Sequence, residues 1–191
     1  CEKCNARFAV IGSAYFCPAC GHNSVTQTFS DSLRKIKAKK DGIDVVRKAL
    51  IESIGKDEAE LTCRSLRETC ISDGIVAFQK YCEGMYEDFG KIPFNAFQRL
   101  EQGSQLWIIA VQKGYNDWIS DEELKKLNIL YQKRHLLSHN EGIVDSQYIN
   151  KSGDTAYKEG QRIVIIDKDI DSLVSSLEKL SNGIKSVCSN I

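Results

Sequence analysis

The chain opens on CEKCNARFAVIGSAYFCPACGH, in which two Cys-x-x-Cys pairs, Cys1 with Cys4 and Cys17 with Cys20, stand twelve residues apart. No other feature limits the local fold so tightly. Each pair makes a tight turn that presents two thiolates, and four thiolates in a tetrahedron are the ligand set of a structural Zn²⁺. Pro18 stiffens the second turn and Gly21 permits its exit. The apolar and aromatic residues between the pairs suit a short hairpin. Two disulfides or a redox dithiol are the competing readings. A redox Cys-x-x-Cys usually stands singly between a strand and a helix, so the doubled pattern favours metal in a reducing compartment. Residues 1–29 are therefore expected to form a zinc ribbon, with Cys1, Cys4, Cys17 and Cys20 as ligands and structural zinc as cofactor. His22, beside the second pair, is surplus to a filled site.

From residue 30 to 191 the pattern is helical. Ser30 reads as an N-cap for a helix carrying Leu33, Ile36, Ile43, Val46 and Leu50, with a bend at Asp41-Gly42. Residues 57–89 read as a second long helix, whose Cys63, Leu66, Cys70, Ala77, Tyr81 and Met85 recur along one face. Cys63, Cys70 and Cys82 are then small core residues rather than ligands. Pro93 opens a third helix to about Lys113, and Ser120-Asp121-Glu122-Glu123 is a capping signal for a fourth that ends near Asn140. IVDSQYI and QRIVII look extended around a polar turn, KSGDTAYKEG, which predicts a short β-hairpin-like insertion. Asp167 caps a last helix striped by Ile170, Leu173, Val174, Leu177, Leu180 and Ile184. The sum is a mainly α chain: a bundle of four to five helices behind the ribbon.

Lys+Arg and Asp+Glu balance at 26 each, so a polyanion would have to be met by a local patch and not by a global field. The run Lys35, Lys37, Lys39, Lys40 is one candidate, although such a run is more often a solvated helix face. The longest apolar run, LWIIAV, falls far short of the roughly 20 residues that span a bilayer. No membrane partner and no signal peptide are expected, and the reading is of a cytoplasmic protein.

YQKRHLLSHNEGIVD, at the end of the fourth helix, holds two of the three histidines beside an arginine. His135 and His139 are an i, i+4 pair, whereas Arg134 and His139 are offset by roughly 140° around the helix, a gap that a long guanidinium can bridge toward one small anion. Three readings compete. Arg134 and the histidines can meet the negative end of the helix dipole while Asn140 and Gly142 close the helix. His135 and His139 can bind metal, but no Glu lies between them and no third ligand is apparent. Or the stretch can hold a phosphodiester.

R-x4-H at the end of a bundle helix, here Arg134, His135 and His139 in RHLLSHNEGIVD, resembles the HEPN family (higher eukaryotes and prokaryotes nucleotide-binding). The NEGIVD tail and KSGDTAYKEGQRIVI resemble one bacterial branch of it, and the likeness covers roughly residues 30–188. The resemblance implies an HEPN-like bundle and a metal-independent endoribonuclease that acts on RNA as a homodimer. His139 would be its general acid or base, Arg134 would stabilise the phosphorane, and His135 would stand where Asn or Asp is common. It equally implies an alternative, an inactive nucleotide- or RNA-binding and dimerisation module.

Overall fold

The computed structural model describes residues 1, 3–9, 16–21 and 24–188. Among these, all long regular elements are helices. α1 (Val25–Ile54) and α2 (Lys56–Tyr86) form a long antiparallel hairpin closed by Gly55, whose φ of 89° lies where only glycine sits without strain. Ser24, not Ser30, caps α1 by accepting from the Gln27 N–H, so the helix begins ahead of the boundary drawn at residue 30. Nor does the chain bend at Asp41-Gly42, which lies inside α1. The expected stripe is buried at Leu33, Ile36 and Ile43, whereas Val46, farther along α1, is exposed and Leu50 is only half-buried.

The third expected helix is divided. A 3₁₀ turn (Ala96–Gln98) follows Asn95 in the left-handed region, Arg99 is extended, and only then does α3 (Leu100–Val111) start. α4 (Asp121–His139) has the predicted capping box: Ser120 accepts from the Glu123 N–H and the Glu123 carboxylate accepts from the Ser120 N–H. The β-hairpin-like insertion is corrected. No strand is present among the described residues, and IVDSQYI instead opens a short helix, α5 (Ser146–Ser152), because the Asp145 side chain accepts from the Tyr148 N–H and caps it. What remains of the pairing is one antiparallel bridge between Ile143 and Arg162. QRIVII is extended as expected, burying Ile163 and Ile165 while Val164 and Ile166 face outward.

α6 (Asp167–Cys188) buries all six residues of its stripe against α2 and α4. Around it one aromatic-rich core joins Phe29, Phe78, Tyr81, Phe97, Trp107 and Tyr115, with Cys70 and Cys82 inside it as small apolar residues. Cys63 is also fully buried, between α1 and α2. The lysine run is tied into this body: Lys37 pairs with Glu178, Lys39 with Asp73, and Lys40 with Asp171. No helix among the described residues is long and apolar enough to cross a membrane.

Candidate functional site

The N-terminal cysteines converge. The ligand atoms of Cys1, Cys4, Cys17 and Cys20 all lie within 4.8 Å of one another, with Sγ–Sγ distances of 3.7 Å for Cys1–Cys20 and 3.6 Å for Cys4–Cys17. Local backbone bonds fold each knuckle, Asn5 N–H to Cys1 O and Gly21 N–H to Cys17 O. This is a four-cysteine cluster able to hold a metal ion. The hairpin expected between the knuckles falls largely on residues 10–15, and His22 likewise lies outside the described residues. His135 and His139 belong to no group of three or more metal-ligating side chains among the described residues.

Farther along the chain, Arg134, His135 and His139 line one cleft of about 520 Å³ between α4, the start of α3 and α5. The 140° offset does not separate them, since the cleft wraps the end of α4. The imidazole rings of His135 and His139 lie 4.7 Å apart, centroid to centroid, and both residues are exposed. Beyond them the helix is closed as the bland reading requires: Asn140 N–H and Gly142 N–H both donate to Leu136 O, and the Asn140 amide donates to Ile143 O.

Partial desolvation at the cleft wall first, then the neighbouring His139, Lys151 and Arg134, hold the largely exposed His135 below the ordinary imidazole value, with Asp145 opposing them. These neighbours favour its uncharged form. The Nε of Arg134 is buried without a hydrogen-bond partner among the described residues, and so is the hydroxyl of Tyr131 one turn earlier. Tyr131 is 6% exposed, and burial pushes its phenol far above the usual range, so it stays protonated.

Two further cations line the cleft that the sequence did not single out. Arg99 sits at the N-cap of α3, and Lys151 lies in the last turn of α5, where the Asn128 amide fixes its position by donating to Lys151 O at 2.9 Å. Arg99, Arg134 and Lys151 form no ion pair among the described residues, whereas Lys37, Lys39, Lys40, Arg67, Lys133, Arg162 and Lys179 all do. Glu101 is the one acid among the residues lining the cleft. The cleft is thus a local basic patch on a neutral chain.

Comparison with family models, with curated proteins and with solved structures found no match to this chain.

Proposed function

We propose that the chain is an HEPN-like, metal-independent endoribonuclease in which Arg134 and His139 act on one RNA phosphodiester, with His135 beside them. The observation that carries this reading is the gathering of Arg99, Arg134 and Lys151, none in an ion pair among the described residues, into one cleft with two histidines. Unpaired cations next to one another are unfavourable unless an anion joins them, and a guanidinium offers paired donors to phosphate oxygens.

The chemistry needs only protein groups and the substrate. The RNA 2′-oxygen attacks phosphorus and gives up its proton to a base. The P–O5′ bond breaks, and an acid protonates the departing 5′-oxygen, leaving a 2′,3′-cyclic phosphate and a 5′-hydroxyl. His139 moves the proton, Arg134 stabilises the charge that builds on the non-bridging oxygens, and His135 hydrogen-bonds beside them to orient them.

Base and acid must lie on opposite sides of the phosphorus in an in-line displacement. Two rings 4.7 Å apart in one helical turn serve one side only. A second copy across a twofold axis supplies the other, so the active species is a homodimer with α4 near the axis. The same one-sidedness favours the alternative, a nucleotide- or RNA-binding module, if the chain stays a monomer.

We assign zinc to the cysteine cluster. A tetrahedron with Zn–S bonds of about 2.3 Å has S–S edges of about 3.8 Å, close to the 3.6 and 3.7 Å separations found. Its role is structural, since four thiolates leave no open position.

Cleavage of labelled RNA in EDTA by the parent and by Arg134→Ala and His139→Ala tests the proposal. Each variant should keep the parent's melting temperature and lose about 10²- to 10⁴-fold in rate. Equal rates in all three refute it, and a parent that binds RNA without cutting selects the binding module.

A further inference from the structure

A second cleft of about 560 Å³ lies along α3 and the first half of α4, and it shares Leu100, Glu101, Asn128 and Lys151 with the first. The two therefore form one groove. From Lys125 to His135 it follows α4 for roughly 15 Å, room for about four stacked nucleotides at 3.4 Å each.

The two ends differ in charge. The histidine end carries Arg99, Arg134 and Lys151 against Glu101 alone, whereas the far end sets Lys125 and Lys151 against Glu101 and Asp121. The far end is balanced and floored by Leu100, Ile108 and Leu124, which suits a flat, uncharged, partly apolar group better than a second phosphate. Asp121 is occupied by the Asn116 amide at 2.9 Å. Glu101, at the junction, has no ion pair and no side-chain hydrogen bond among the described residues.

We propose that this second cleft is a guanine subsite: the base next to the phosphate at Arg134 seats on the Leu100–Leu124 floor, and the Glu101 carboxylate reads its N1–H and N2–H donors. This rests on the phosphodiester reading of the first cleft. The choice of base follows from the carboxylate. Only guanine presents two adjacent donors on its pairing edge. Adenine, cytosine and uracil set acceptors beside each donor, which a carboxylate repels. Lys151, which lines both clefts, meets the phosphate at Arg134 from the side of the base.

Fluorescence anisotropy on the full chain with uncleavable 2′-O-methyl uridine tetramers, each carrying one guanosine, adenosine, cytidine or inosine at each position in turn, tests this. At one position guanosine should bind about 10-fold tighter than uridine. Inosine, which lacks the N2 amino group, and the exposed-site variant Glu101→Gln should each reduce that preference to about threefold or less, while Arg134→Ala weakens all tetramers by the same factor. A parent without guanosine preference, or a preference that survives both inosine and Glu101→Gln, overturns the guanine subsite; if Arg134→Ala still weakens every tetramer, the phosphate site stands. A parent that binds no tetramer overturns both.

Discussion

The same substitution, glycine to alanine inside a helix, should change stability in opposite directions at two places in this chain. At Gly42, within α1, an added Cβ meets nothing within 4 Å. The gain is then the ordinary helix-propensity difference of about 0.5–1 kcal/mol. At Gly183, within α6, the added Cβ would lie 2.2, 2.4 and 2.6 Å from Cγ, Cδ1 and Cδ2 of Trp118. That indole cannot swing aside freely, because Trp107 meets it edge-on with centroids 6.4 Å apart and Tyr115 lies at 6.4 Å. Relieving contacts this short means moving a rigid, partly buried ring by roughly 1 Å against the core, which puts the cost at the upper end of about 1–3 kcal/mol, well above a propensity gain of about 1. For a chain of this length about 1 kcal/mol moves Tm by about 2–4 °C. Thermal melts followed by circular dichroism should show Gly42→Ala at least 1 °C above the parent and Gly183→Ala several degrees below it. A Gly183→Ala protein that melts at or above the parent refutes the packing of Trp118 on α6, and with it the placement of the turn that leads into α4.

Three further outcomes follow from the site and its supports. Metal analysis of reduced protein should find one zinc per chain, lost on Cys17→Ser while the helical circular dichroism signal largely remains, because the knuckles lie outside the helical core; a substoichiometric parent contradicts the zinc assignment. Lys179, first, and the Ser120 N–H hold the Glu123 carboxyl down at about 2, below its unfolded value of about 4.3. A depressed folded pKa stabilises above the unfolded value and the contribution fades as pH falls toward 2, so Glu123→Gln should melt below the parent at pH 7 and with it near pH 2; a gap that persists at pH 2 excludes this linkage. Light scattering at tens of micromolar should give a dimer that Lys151→Ala leaves intact, and a monomer would leave the in-line geometry without its second side.

The elements that local rules specify were legible in the sequence. Ser120 with Glu123 is a reciprocal cap whose partners lie within one turn, and the α6 stripe needs only the helical period to place its six residues in the core. α5 was missed because Val144, Tyr148 and Ile149 have the β-branched and aromatic character of a strand, while the deciding signal was one polar side chain, Asp145, at the cap. The mid-helix Gly42 shows the reverse case. Asp-Gly reads as a bend, yet the packing of α1 on α2 overrides it. At the cleft, Arg134, His135 and His139 came from a single stretch of chain. Arg99, Glu101 and Lys151 did not, since α3, α4 and α5 meet there only through tertiary packing, and no spacing in the sequence records that meeting.

The chemical form of the cut ends tests the central reading most directly. RNA incubated with the parent protein in excess chelator should yield fragments whose 3′ ends carry 2′,3′-cyclic phosphate and whose partners begin with 5′-hydroxyl, as read by mass spectrometry, because the proposed nucleophile is the substrate's own 2′-oxygen. Fragments ending in 3′-hydroxyl with 5′-phosphate, or cleavage that stops in chelator while the helical body stays folded, would contradict it.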